Sequence, residues 1–438
     1  MNTNSGVALY QRARKIIPGG TQLLSKRPEM FLPDQWPSYY SKVKGVNVWD
    51  LDGNQYTDMS IFGVGACPLG FCDEDVDAAV IRAVKNGNMA TLNPPEEVEL
   101  AELLCDLHPW AQKVRYARSG GEVLAMAIRI ARAAAGKSRV AFCGYHGWSD
   151  WYIASNLAED ANLDGHLLPG LKPLGIPREL IHTAIPFRYN QINELEGIVD
   201  QYNDIGVIIM EPVRNFGPKD DFLIKVRQIA DKIGAVLIFD EVTSGWRIND
   251  GGIHLTMGVD PDMATFAKGM SNGYPMAALI GRANIMDAAQ ETFISSTYWT
   301  DRIGPSAALA TIHKFRDCRV GIYLDHLGKN LQQGIKTMAA RHALQLKVSG
   351  IPPLTHLAFE YGVLNRKLKT LFIQEMLARK VIASLSVYLS YAHNDEILKH
   401  YFNTLDEVFG ILSQSMKNNT LDQQINGPLA HDGFARLS

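Results

Sequence analysis

Three apolar runs end in charged residues at nearly equal intervals, and this spacing constrains the fold more than any other feature of the chain. Ile205-Gly-Val-Ile-Ile-Met210 leads into Glu211, Ala235-Val-Leu-Ile-Phe239 leads into Asp240-Glu241, and Met263-Ala-Thr-Phe-Ala267 leads into Lys268. The charged residues at 211, 240 and 268 stand 29 and 28 residues apart, the length of one βαβ unit. Continuous rather than alternating apolar runs indicate strands buried on both faces, as in parallel sheets. Between the first two lies Asp221 to Gly234, with Val226, Ile229, Ala230 and Ile233 at helical spacing and a glycine to stop it. The expected fold is α/β, with a mostly parallel central sheet flanked by helices. Glu211, Asp240 and Lys268 are expected on one edge of it.

That edge is where parallel α/β sheets bind ligands. A lysine partly desolvated there loses basicity and becomes a nucleophile toward carbonyls. An acid beside it suits pyridoxal phosphate: a carboxylate keeps the pyridine nitrogen protonated while the lysine holds the aldehyde as an imine and moves protons. Asp240 is the candidate for the first role and Lys268 for the second. A solvated strand end is the plain alternative for Asp240-Glu241, as a solvated cap is for Lys268.

Composition narrows the remaining possibilities. A chain of 438 residues calls for a large core and a second domain. The net charge of −3 offers no basic surface for nucleic acid or anionic membranes. The five cysteines, Cys67, Cys72, Cys105, Cys143 and Cys318, form neither a disulfide framework nor a zinc pattern. No run approaches the roughly 20 apolar residues of a membrane span, and the polar start Met1-Asn-Thr-Asn-Ser-Gly6 has no signal-peptide character. The expected location is the cytoplasm.

Other stretches add local expectations. Val7 to Ile17 reads as a short helix stopped by Pro18-Gly19-Gly20, and Gly45 to Asp58 as a hairpin turning at Asp52-Gly53. Ser119 with Glu122 is a capping box for the helix that follows. Gly120 and Gly121 there leave unhindered N–H groups suited to a phosphate. Gly144 to Tyr152 carries four aromatics and a histidine after a short strand, fitting either a flat ligand or an aromatic seal.

In combination these motifs resemble the class III, fold-type I pyridoxal-phosphate enzymes, most closely glutamate-1-semialdehyde aminomutases. The likeness spans about Pro18 to Asn394 through Trp49-Asp-Leu-Asp-Gly53, Ser119-Gly-Gly-Glu122, Tyr145-His-Gly147, Glu211-Pro-Val213, Phe239-Asp-Glu-Val-Thr-Ser-Gly-Trp-Arg247, Ala267-Lys-Gly269, Asn272-Gly-Tyr-Pro275 and Ala392-His393. The resemblance implies pyridoxal 5′-phosphate as cofactor, Lys268 as its Schiff-base lysine and Asp240 as partner of the pyridine nitrogen. It implies Val242 and Tyr145 on the two ring faces, and Ser119, Gly120 and Gly121 around the phosphate. His146 and Glu211 complete the cofactor set, and Thr297 matches a threonine that reaches the phosphate of the neighbouring subunit. A homodimer with shared active sites is therefore expected, with a small-molecule amino donor and a carbonyl acceptor as partners.

The implied organisation is a large cofactor-binding domain over 61–305 and a smaller α+β domain from 1–60 and 306–438. The chain also departs from the family pattern. Gly121 stands where Ser-Gly-Thr-Glu has threonine, Leu23-Leu-Ser-Lys-Arg27 replaces a stretch carrying Ser-Pro-Val-Arg, and Leu385 falls where the aminomutases have glutamate. The reading these departures favour is an aminotransferase acting on an aldehyde or ketone, such as a sugar or hydroxylated carbonyl compound. The alternatives are the 2,1-aminomutase itself and, from another class, a catalytically silent cofactor-binding protein.

Overall fold

A computed structural model describes residues 4–166, 169–213 and 215–433; Met1 to Thr3 of the polar start lie outside them. The chain divides into two compact units, Glu74–Ile322 and the combination of Met1–Asp73 with Tyr323–Ser438. The boundaries fall at 73/74 and 322/323, where the sequence reading placed them at 60/61 and 305/306.

The central unit is built on a seven-stranded sheet. Its order is Lys113–Ala117, Ala277–Gly281, Met263–Phe266, Val236–Asp240, Ile205–Met210, Arg139–Cys143 and Ala184–Pro186. Ala277–Gly281 runs antiparallel to both its neighbours, and the other pairings are parallel. All residues of the Ile205–Met210 and Val236–Asp240 strands are buried, which accounts for their unbroken apolar runs.

Successive side chains feed two cores on opposite faces. Val207, Ile209, Val236 and Ile238 pack with Val123, Ala127, Ile130 and Ala131 of the Gly120–Ala135 helix. Ile208, Met210, Leu237 and Phe239 pack with Leu223, Val226 and Ala230 of the Phe222–Ile233 helix. That crossover helix ends at Gly234 in the left-handed conformation, φ +65°, as its sequence requires. The registers Met210↔Phe239 and Asp240↔Thr265 bring the ends of three adjacent parallel strands level. Glu211, Asp240 and the segment leading to Lys268 thus leave the sheet on its carboxyl edge.

The other unit contains a four-stranded sheet, Tyr40–Lys44, Asn47–Asp50, Gln55–Met59 and Val381–Ala383, and an antiparallel three-stranded sheet of Leu346–Ser349, Leu354–Phe359 and Ser386–Tyr388. The hairpin turns at Asp52-Gly53 as expected, with Gly53 at φ +79° and the Asp50 carboxylate accepting the N–H groups of Asp52 (2.9 Å) and Asn54 (2.8 Å). The first helix covers Ser5–Ile16. Among the described residues no helix is long and apolar enough to cross a membrane.

Leu237 lies in the middle of the sheet and is fully buried. Leu237→Ala is expected to lower the unfolding free energy by about 2–5 kcal/mol in urea titrations. A loss below about 1 kcal/mol would show that the second core is not close-packed there.

Candidate active site

Asp240 ends its strand with only 3% of its surface exposed. Its Oδ2 lies 2.8 Å from Nδ1 of His146, and its Oδ1 accepts the Val242 N–H at 3.1 Å and the Thr265 hydroxyl at 3.4 Å. Since a carboxylate accepts, the imidazole donates from Nδ1. His146 is fully buried, with its ring against Trp151 at 6.1 Å and edge-on to Tyr152 and Phe142. Its Nε2 has no hydrogen-bond partner among the described residues.

Lys268 follows the next strand in the left-handed backbone region, φ +43°, uncommon for a residue with a Cβ. Such a conformation costs on the order of 1–3 kcal/mol and persists where surrounding structure imposes it. Its Nζ donates to Thr243 Oγ1 at 2.8 Å, within the turn that begins at Asp240. The amine and the acid are thus both tied to one short segment.

The Gly120–Ala135 helix is capped as its sequence predicts. Ser119 Oγ accepts the Glu122 N–H at 3.4 Å, and Glu122 Oε2 accepts the Arg118 N–H at 3.0 Å. Val242 reaches this terminus: a Cβ on Gly120 would stand 3.1 Å from Val242 Cγ1. Ser119, Gly120, Gly121, Val242 and Asp240 are therefore brought together.

Glu211 is buried and accepts the Tyr145 N–H through Oε2 at 3.0 Å. Gly144 makes this possible: at φ +117°, with a Cβ position 2.6 Å from that same oxygen, no side chain fits. Beside them is a cavity of about 410 Å³ whose lining includes Gly144, His166, Arg188, Tyr189 and Glu211. Of the four aromatics in the loop, Trp151 and Tyr152 are buried in the core and cannot face a ligand. Tyr145 and Trp148 are exposed. Thr297 is also exposed, at the start of the Thr297–Thr300 turn. Within the chain that turn meets the Arg118 segment, since the Arg118 guanidinium donates to Trp299 O at 2.9 Å.

A buried histidine network behind the acid turn escapes a sequence reading. Glu241 accepts the backbone N–H and Nδ1–H of His254 at 2.9 and 2.7 Å, and also the Ser244 hydroxyl. Burial pushes the Glu241 carboxyl up, but the hydrogen bonds and charge of His254 with the Ser244 contact outweigh it, so the net shift is downward. His254 Nε2 accepts the Trp110 indole N–H at 3.0 Å. Its ring lies against His108, with centroids 5.7 Å apart. His108 donates to Leu104 O at 2.8 Å and accepts the Gly252 N–H at 3.0 Å. Trp110 and His254, and His108 and Gly252, lie 144 residues apart in sequence, so no local pattern announces the network.

Comparison with known proteins agrees with this architecture. The family pattern of Aminotransferase class-III matches residues 33–352. The chain is 30% identical over 414 residues to 3-aminobutyryl-CoA aminotransferase of Cloacimonas acidaminovorans, covering 92% of this chain and 95% of that protein. It is 29% identical to glutamate-1-semialdehyde 2,1-aminomutase of Francisella philomiragia, over 90% of this chain and 95% of that one. Among solved structures, the FumI protein of Sphingopyxis sp. MTA144, in its PLP internal aldimine form, superposes with a TM-score of 0.85 at 23% identity, covering 94% of this chain and 97% of that one. An omega-transaminase from Sphaerobacter thermophilus gives a TM-score of 0.83 at 23% identity, covering 94% and 98%. The chain belongs to the class III aminotransferases and is a pyridoxal phosphate-dependent aminotransferase by family.

The residues present fit that cofactor. Two successive glycines put no side chain at the helix start, the nearest side chains to them are the apolar Val242 and the indole of Trp148, and a buried acid backed by an imidazole stands at the adjoining strand end.

His108 yields a pH prediction. Burial depresses its basicity to about 4 from an ordinary 6.5, the Leu104 hydrogen bond opposing this and the neighbouring His254 adding to it. A histidine held neutral in the fold contributes stability that is full above about pH 6.5 and lost as pH falls toward about 4, on the order of 2 kcal/mol by pH 5. The loss of stability between pH 7.5 and 5 should be smaller in His108→Gln than in the wild type. Equal pH slopes in urea unfolding would refute the assignment.

Proposed function

We propose that this aminotransferase moves an amino group from an external amino donor to an aldehyde or ketone, with Lys268 and Asp240 as its catalytic residues. The observation that carries the proposal is the pairing of a buried Asp240, held by His146 at 2.8 Å, with a Lys268 Nζ held by Thr243 at 2.8 Å on the same turn. Pyridoxal 5′-phosphate, when bound, supplies an electron sink for the reacting carbon. The Asp240 carboxylate would hold the proton of the pyridine nitrogen in place, with His146 Nδ1–H orienting that carboxylate. Lys268 Nζ would hold the aldehyde at rest and carry the proton of the reacting carbon during turnover. Val242 and Tyr145 would cover the two ring faces. Ser119 and the N–H groups of Gly120 and Gly121 would hold the phosphate at the positive end of the helix. Glu211, by fixing the Tyr145 backbone, would set the position of that ring.

The active sites are proposed to be shared in a homodimer, the partner subunit's Thr297 completing the phosphate site. Thr297 is exposed in the single chain, with the exposed apolar Phe293 and Tyr298 on either side of it in sequence. A cytoplasmic location fits the scattered, odd-numbered cysteines.

The choice of an external donor over aminomutase chemistry rests on Leu385, which removes the charge of the aminomutases' glutamate, and on Lys26-Arg27 in place of their Val-Arg, which alters the cationic stretch that would meet the substrate carboxylate. The exposed face of the Trp148 ring offers stacking surface instead, which favours a bulkier, hydroxylated carbonyl acceptor.

Two outcomes are expected. Borohydride reduction of the holoenzyme followed by peptide mapping should label Lys268, while Lys268→Ala and Asp240→Asn should each lower kcat by orders of magnitude with the fold retained. A label on another lysine, or near-wild-type kinetics for Asp240→Asn, would dismiss these roles. Loss of one charged partner for a desolvated carboxylate costs about 2–5 kcal/mol, roughly 30- to several-thousand-fold. Glutamate semialdehyde should therefore isomerise slowly or not at all, and stopped-flow absorbance should show faster cofactor turnover with an external donor such as glutamate. Efficient donor-free isomerisation would establish the aminomutase instead.

A further inference from the structure

The two glycines that open the Gly120–Ala135 helix are not equivalent. Gly120 faces the apolar Val242, whereas a Cβ on Gly121 would stand 3.0 Å from Nε1 and 3.3 Å from Cδ1 of Trp148. The indole reaches this point because Gly147, at φ +90°, turns the chain tightly against the helix; its own Cβ position lies 3.3 Å from Gly121 Cα. The atom nearest the missing side chain is thus the one polar atom of the ring. An indole nitrogen donates and does not accept.

The surrounding donors are arranged to match. Glu122 has its N–H on the Ser119 hydroxyl, and Val123 is the first residue to bond back to the Ser119 carbonyl, at 3.1 Å. The N–H groups of Gly120 and Gly121, at the first two helical positions, have no partner within the helix. The Trp148 indole nitrogen makes no hydrogen bond to a described residue, and the side chain is 75% exposed in the single chain. The amides of Gly120 and Gly121 at the helix start and the Trp148 indole nitrogen, 3.0 Å from the Cβ position of Gly121, are thus three N–H donors at one terminus, and the Glu122 carboxylate beside them accepts from Arg118, Ser119 and Trp299.

We propose that Trp148 is a phosphate-binding residue: its Nε1–H donates to the phosphoryl group of the cofactor beside the amides of Gly120 and Gly121. The inference rests on the cofactor reading above and adds to it a side-chain donor. Gly121 is required by it, because any larger residue would push the indole away. The indole replaces a hydroxyl at position 121 with a donor from a different loop, the one that also carries Tyr145 and His146.

Trp148→Phe keeps an aromatic ring while removing the donor with the smaller ring of the indole. The full-length chain, freed of bound cofactor with hydroxylamine, is compared with this variant in equilibrium dialysis against pyridoxal phosphate and, separately, against pyridoxal. A hydrogen bond to a charged group is worth enough that pyridoxal phosphate should bind about ten- to a hundredfold more weakly to the variant. Pyridoxal, which has no phosphate, should bind both proteins within about twofold, and this arm also reports that the variant is folded. An unchanged pyridoxal phosphate affinity, or an equal loss for both ligands, would overturn the inference. A wild-type chain that does not prefer pyridoxal phosphate to pyridoxal would instead reject the cofactor reading on which it rests.

Discussion

The contact between Asp240 and His146 is the constraint from which the rest of the central unit follows. A carboxylate with 3% exposure is costly unless its charge is met by hydrogen bonds. Three donors meet it, and His146 supplies one at 2.8 Å from a loop nearly a hundred residues earlier. For that donor to hold its direction the imidazole must itself be fixed, and Trp151, Tyr152 and Phe142 surround it. The Tyr152 hydroxyl in turn closes the loop on Gly144 O at 2.9 Å. These aromatics therefore form the wall behind the acid, which is why only Tyr145 and Trp148 are left to face outward.

The sheet transmits this constraint to the other charged residue. Because both faces of the Val236–Asp240 strand are covered, its end cannot shift without disturbing two cores. The turn beginning at Asp240 carries Val242 to the helix terminus and Thr243 to Lys268 Nζ. Behind the turn, Glu241 is anchored by His254, so the peptide on the far side of Asp240 is held as firmly as the carboxylate on the near side. Neighbouring acids thus do opposite work: one is turned toward the site edge, and the other is consumed by the core.

What was legible in the sequence is what short-range physics determines. Continuous apolar runs, a crossover helix with its glycine stop, the Asp52-Gly53 hairpin and the Ser119–Glu122 cap all depend on residues within one element, and all stand where expected. The level placement of Glu211, Asp240 and Lys268 followed from spacing because parallel strands share an edge. The His108–His254–Glu241 network was not legible, since its partners meet only once the sheet is formed. Nor was the division of labour in the Gly144–Tyr152 loop, where a shared aromatic composition conceals two buried rings and two exposed ones.

The departures from the family pattern are best understood in spatial pairs. Taken alone, glycine at 121 subtracts a hydroxyl from the proposed phosphate site and looks like a weakening. In the structure the same absence is the space into which the Trp148 indole fits, 3.0 Å from where a Cβ would be. A threonine restored at 121 would therefore meet the ring rather than improve the site, and its cost would depend on whether Trp148 could move. The same logic applies to Gly144, whose Cβ position lies 2.6 Å from Glu211 Oε2: the glycine serves the carboxylate of another strand, not its own turn alone. In both places the backbone of one loop is shaped by a side chain of another, so the chemistry of the site is carried by contacts between elements that the residue types within either element do not disclose.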